Sequence, residues 1–139
     1  MIDVDFLLLA DYAEITGGKL YMAGGGWDTL TLGEFPQSRN VGVALGIGVP
    51  WDETNRRYRV HLEIRNEDTG KTLTEVEGEF ETGRPAGVPA GTTQLIQIAL
   101  NGPINFEEAG GYIIECLIDG VCARRRPFRV VDARPRSKP

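Results

Sequence analysis

The sequence predicts an all-β fold, an antiparallel β-sandwich of eight strands, and three observations carry that prediction. Apolar residues recur at every second position: in RRYRVHLEIR, Tyr58, Val60, Leu62 and Ile64 share one face, and Arg57, Arg59, His61, Glu63 and Arg65 the other. Eighteen glycines and eight prolines among 139 residues are spread along the chain and punctuate it with turns. No stretch carries the 3.6-residue apolar spacing of an amphipathic helix. With 41% apolar and 25% charged residues, the composition is that of a folded domain. One domain is expected over residues 1–131, followed by a basic flexible tail at 132–139.

The elements follow in order. Residues 2–10 form a first strand, apolar on both faces from Phe6 to Leu9 and therefore deeply buried at that end. A turn at Thr16-Gly17-Gly18 leads into a second strand over residues 18–32. NVGVALGIGV, ended by Pro50, puts Val41, Val43, Leu45, Ile47 and Val49 on one face and Gly42, Ala44, Gly46 and Gly48 on the other. RRYRVHLEIR and TEVEGEFETG, joined by the turn NEDTG, make a hairpin. If opposed positions sum to 136, Arg57 meets Glu79, Arg59 meets Glu77 and His61 meets Glu75; a slip to 138 keeps arginine opposite glutamate. Such cross-strand pairs contribute roughly 0.2–1 kcal/mol each. The stretch at 82–93 is a loop, rich in glycine and proline. TQLIQIALNG is a further strand, and GYIIECLI and VCARRRPFRVV form the terminal hairpin about Asp119-Gly120.

The ending, Phe106 and four residues before Gly111-Tyr112, then Asp119-Gly120 and Pro127-Phe-Arg-Val-Val131, resembles the last hairpin of immunoglobulin-like sandwiches. The sandwich is accordingly expected to be immunoglobulin-like or jelly-roll-like, an architecture that hosts many functions.

In the terminal hairpin Leu117 is expected opposite Cys122 and Cys116 opposite Ala123, which points the two thiols to opposite faces. Both are read as reduced, as in a cytosol. One histidine and two diverging cysteines make no zinc tetrad, so no metal or other cofactor is expected. The N-terminus lacks the basic region of a secretory signal, Asp3 and Asp5 interrupt it, and no run approaches the ~20 apolar residues of a membrane span. The expected location is cytoplasmic. Net charge is −5, unevenly placed: residues 120–139 hold seven basic residues and one acid, +6, leaving −11 on the first 119. The tail has no interleaved aromatics and the body is acidic, so a solvated tail is favoured over nucleic-acid binding.

The three glycines of YMAGGGWDTL are followed by no lysine and no helix, which sets aside a phosphate-gripping loop. Leu20, Met22, Leu30 and Leu32 keep one parity around them, so the glycines are read as a bend within a strand. Were this strand to neighbour residues 41–49, Gly24, Gly25 and Gly26 with Gly42, Gly46 and Gly48 would make a shallow binding trough walled by Trp27 or Trp51. The alternative is that large side chains from the facing sheet fill that space.

His61 lies mid-strand on a charged face, away from any nucleophile motif, so no catalytic residue is expected and the chain is read as a non-enzyme. The acids Asp52-Glu53 and Glu67-Asp68 lie in turns. The expected function is a non-catalytic module for protein interaction or self-assembly, working through an edge strand or the glycine-lined face. The alternative is a ligand- or calcium-binding domain, or an enzyme, using acidic loop residues at one end of the sandwich.

The segments FLLLADYAEITGGKLYMAGGGWDTL, GVALGIGVPWDETNRRYRVHLEIRNEDTGK and GYIIECLIDGVCARRRPFRVV resemble a family of small single-domain bacterial proteins of unknown function. The likeness extends to about Val131. It implies an all-β fold and a bacterial source, and it brings no activity, cofactor or site residue with it.

Overall fold

Turns divide the described residues into nine strands: β1 (Asp3–Thr16), β2 (Lys19–Gly25), β3 (Thr29–Leu32), β4 (Gln37–Val49), β5 (Arg57–Asn66), β6 (Thr72–Glu81), β7 (Gln94–Phe106), β8 (Gly110–Ile118) and β9 (Val121–Asp132). A 3-10 turn, Trp51–Glu53, follows Pro50. The computed structural model describes residues 2–134. Among these, no helix is long and apolar enough to cross a membrane.

The strands form two sheets, ordered β2-β1-β4-β7 and β3-β9-β8-β5-β6. The fold is all-β, as the alternation predicts, but the second sheet is mixed, because β3 runs parallel to β9. The ninth strand comes from the run 18–32, expected as one strand. Gly24 and Gly26 take φ of +56° and +82°, conformations that only glycine adopts without strain. Gly26 N–H still donates to Leu9 C=O at 2.8 Å, after which Asp28 C=O accepts from Arg129 N–H at 2.8 Å. The chain therefore leaves one sheet and joins the other between those bonds. The shared parity of Leu20 and Leu30 masks this crossing in the sequence.

Alternation places the core between the sheets. Val43, Leu45 and Ile47 of β4 face Val60, Leu62 and Ile64 of β5, and all six are buried. A register shift between Val4 and Phe6 lets Val4, Leu7 and Leu9 all enter the core. At one end an aromatic cluster closes the layer. Phe106 meets Tyr112 edge-on at 5.3 Å, and Tyr112 stacks on Phe128 at 5.6 Å. Burying each such side chain contributes about 1.5–3 kcal/mol.

Beyond β9, Ala133 N–H donates to Leu32 C=O at 2.8 Å, and the Arg134 guanidinium lies over Phe35 while binding Asp132. Residues 132–134 thus lie against β3 and its exit rather than in the expected tail. The remainder of that tail, 135–139, falls outside the described residues.

Candidate functional site

The two glycine runs lie on β2 and β4, and β1 runs between them. Gly46 is opposed by Phe6 of β1, whose ring lies where a β-carbon would stand. At Gly42 a β-carbon would sit 2.8 Å from Asn101 Oδ1 and 2.9 Å from Ala13 N. At Gly48 it would meet Asp5 Oδ1 at 3.2 Å and Thr93 Cγ2 at 3.5 Å. Gly42 and Gly46 are therefore covered by neighbours of their own sheet, and Gly48 by Asp5 of β1 and Thr93 of the loop before β7, rather than by the facing sheet. Gly24 and Gly25 lie against Asp11 and Met22, while Gly26 has open space where a β-carbon would stand. Trp27 belongs to the crossing segment and packs edge-on against Phe128 at 6.0 Å. Its Nε1 is buried with no hydrogen-bond partner among the described residues. Trp51 stacks under the Arg84 guanidinium at 4.4 Å.

On the outer face of the second sheet, β5 and β6 pair in the register summing to 138, so Arg57 stands opposite Glu81, Arg59 opposite Glu79 and His61 opposite Glu77. The ion pairs nevertheless run on the diagonal. Arg57 reaches Glu79 at 3.7 Å, Arg59 reaches Glu77 at 3.5 Å and His61 Nε2 reaches Glu75 Oε2 at 3.1 Å. The partners are those expected from the sequence; the backbone beneath them is shifted by one pair. Long side chains span a diagonal neighbour without difficulty.

The same register sets Glu63 opposite Glu75 on one side and opposite Glu115 on the other. Glu115 is buried and takes Arg65 Nη1 at 3.4 Å and Arg125 Nη2 at 2.7 Å. The Arg65 hydrogen bond, aided by Arg125, holds its carboxyl below the usual range against the opposing effect of burial. Glu63 accepts from Thr72 Oγ1 at 2.8 Å. Donor atoms of His61, Glu63 and Glu75 all lie within 4.8 Å of one another.

The acidic turns do not converge. Asp52-Glu53 precedes β5 and Glu67-Asp68 follows it, so the ten-residue strand separates them. In the terminal hairpin Leu117 opposes Cys122 as expected, but a register shift sets Cys116 opposite Arg124 rather than Ala123. The thiols still part: Cys116 is buried, Cys122 is exposed, and both are free. Burial, with a smaller contribution from Cys122, pushes the Cys116 thiol up to about 11.

Each sheet has two edges, and they differ in chemistry. β3 has four residues; β2 has seven, with Lys19 and a glycine-bent end; β6 carries Glu75, Glu77, Glu79 and Glu81. β7 is thirteen residues long, and from Gln94 to Gly102 it has neither charge nor proline. Between β7 and β6 lie two adjoining apolar hollows of about 230 and 330 Å³, which share Leu62, Val76 and Leu100.

The pattern of the family of unknown function DUF6941 matches residues 5–131. The chain belongs to this family. No curated protein matches it. Among solved structures, it is similar to the Pseudomonas fluorescens alkylpurine DNA glycosylase AlkC bound to DNA containing an abasic site analog. Identity there is 15% and the TM-score 0.46, over 94% of this chain and 30% of that one.

Two features of the family member escape a strand-by-strand reading. The bare edge of β7 becomes visible only once strand order is known, because residues 93–102 read equally well as a central strand. The His61, Glu63 and Glu75 cluster depends on a one-pair register choice that the arginine–glutamate pattern tolerates either way.

Proposed function

We propose that this domain works by association, and that β7 is the edge through which it associates with a second copy of itself. The observation that carries this reading is the uncharged stretch Gln94–Gly102 on a long edge strand, where the other edges are short, bent or charged. Edge strands expose unpaired N–H and C=O groups, and natural sheets normally guard them with charge, proline or brevity.

The stretch is also suited to pairing with itself. About a two-fold axis at Ile98, antiparallel pairing sets Ile96 opposite the partner's Leu100, Ile98 opposite the partner's Ile98 and Gln97 opposite the partner's Ala99, with no like charges facing. The two four-stranded sheets then continue as one of eight strands.

We further infer an immunoglobulin-like arrangement, which would leave this edge bare. The order β9-β8-β5-β6 corresponds to the G-F-C-C′ sheet of a variable-type domain, and β1-β4-β7 to A-B-E. Tyr112, at the β7–β8 corner, donates its hydroxyl to Glu108 C=O at 2.6 Å, in the manner of the tyrosine corner of that architecture. Strand D would lie beside β7; here residues 82–93 form no strand.

Light scattering after size exclusion tests the proposal, together with the double variant Gln97→Lys/Ala99→Lys, which brings lysines face to face across the axis. The expected result is a dimer for the native chain and a monomer of unchanged helix-free circular dichroism for the variant. A native chain that stays monomeric from micromolar to millimolar concentration, or a variant that dimerises equally well, overturns it.

A further inference from the structure

On the outer face of the β5–β6 hairpin, Arg57, Arg59 and His61 each stand opposite a glutamate, but Glu63 stands opposite another carboxylate. Register puts Glu75, Glu63 and Glu115 side by side across β6, β5 and β8. Like charges directly opposed destabilise a sheet, so this row calls for cations. Glu115 has two, Arg65 at 3.4 Å and Arg125 at 2.7 Å. Glu63 lies at the limit of ion-pair range from Arg65, 3.9 Å. Glu75 has His61, whose Nε2 stands 3.1 Å from Glu75 Oε2.

We propose that His61, Glu63 and Glu75 bind a divalent transition-metal ion, with Zn²⁺ as its reference member, on the outer face of the β5–β6 hairpin. An imidazole nitrogen and two carboxylate oxygens are the donors such an ion takes, at about 2.0–2.2 Å. Bonds of that length in a tetrahedron separate the donors by about 3.3–3.6 Å. The three donor atoms stand within 4.8 Å of one another, and the His61–Glu75 pair at 3.1 Å is already close to that spacing. Rotation of the exposed Glu75 side chain closes the remainder.

The ligands rise from two hydrogen-bonded strands, which fixes their backbone, and Thr72 Oγ1 orients Glu63 through its 2.8 Å hydrogen bond. Three protein donors leave a position for water. Calcium is a poor fit, because it takes six to eight oxygen ligands. The site lies on the other sheet from β7, so it stands or falls independently of the association reading.

Titration calorimetry with Zn²⁺, in a Cys122→Ser background that removes the exposed thiol, tests the proposal. One equivalent of Zn²⁺ is expected to bind. His61→Ala and Glu75→Gln should each weaken it by more than about 10-fold, since changes even to groups behind the ligands cost 10–100-fold. Glu79→Gln, on the same face but outside the cluster, should leave it unchanged. In the folded parent chain, Zn²⁺ should also shift the imidazole proton resonances of His61, which gives a readout independent of the variants. No stoichiometric binding, affinity indifferent to His61→Ala, or imidazole resonances that do not move would overturn the proposal.

Discussion

Asn101 holds both backbone groups of Ala13: its Oδ1 accepts from the Ala13 N–H at 2.9 Å and its Nδ2 donates to the Ala13 C=O at 2.7 Å. The two residues lie on β7 and β1, with β4 between them. The paired stretch of β1 and β4 ends at Ala10 opposite Gly42, and beyond it β1 continues without a strand on that side. Side chains take over. Asn101 crosses above Gly42 to reach Ala13, and Asn40 Nδ2 donates to Asp11 C=O at 2.8 Å. An amide side chain suits the task because it offers the same donor and acceptor as a peptide group.

Asn101→Ala is therefore expected to cost about 1–3 kcal/mol, the penalty for leaving the buried N–H and C=O of Ala13 without partners. Gly42→Ala should cost at least as much, because the added methyl would stand 2.8 Å from Asn101 Oδ1 and 2.9 Å from the Ala13 backbone nitrogen, which cannot swing aside. Since both changes break the Asn101 contact, the double variant should be little worse than Gly42→Ala alone. Urea denaturation of the four proteins measures this; strict additivity would refute the shared mechanism.

Gly46 and Phe6 make a second such pair, in which glycine makes room for a ring. Gly46→Val is expected to destabilise by roughly 1–3 kcal/mol, as overpacking does. Phe6→Ala in the same chain should recover part of that loss by vacating the space above residue 46. Thermal unfolding of the cycle decides between this contact and an open trough, in which Gly46→Val would leave stability alone and alter only association.

Much of the architecture was legible because it rests on side-chain parity. The alternation in β5, Tyr58 to Ile64, survives in the fold residue for residue, with each apolar member buried. The charge partners of Arg57, Arg59 and His61 were legible for the same reason. What parity cannot carry is strand order and register. Leu20 and Leu30 share a parity but belong to different sheets, and the glycines between them mark a crossing as readily as a kink. A one-pair slip leaves arginine facing glutamate while bringing Glu63 opposite Glu75. The glycine face of β4 was legible as small, but which side chains cover it depends on β1 and β7 as neighbours, a matter of long-range pairing.

Glu115 gives the fold a dependence on acid. Its carboxyl is held below the usual 4.5, first by Arg65 and then by Arg125, against burial. A carboxyl whose folded pKa is lowered contributes stability that is fully present above the unfolded value and lost as pH falls through the folded one. The loss should therefore begin below about pH 4.5 and deepen with further acid. Glu115→Gln should cost about 1–3 kcal/mol at neutral pH, less than a fully buried pair because Arg125 can turn to water. Its stability should also fall less steeply than that of the parent between neutral pH and pH 3. Chemical denaturation at several pH values reads both effects; parallel curves would assign the acid sensitivity to other carboxylates.

The two cysteines should separate cleanly by reactivity. The nucleophile in alkylation is the thiolate, so a buried thiol raised to about 11 is almost wholly unreactive at neutral pH, and its sulfur is out of reach of the reagent as well. Cys122, one turn of the hairpin away, is exposed. Iodoacetamide on the native chain should add a single equivalent, at Cys122, and a second at Cys116 only in denaturant. Because Cys116 lies among the core residues of β8, its rate of modification in intermediate denaturant should follow global unfolding rather than fraying of the Asp119-Gly120 turn. Peptide mass spectrometry of the labelled chain distinguishes the sites. Modification of Cys116 at the native-state rate of Cys122 would mean that the β8–β9 hairpin opens independently of the core.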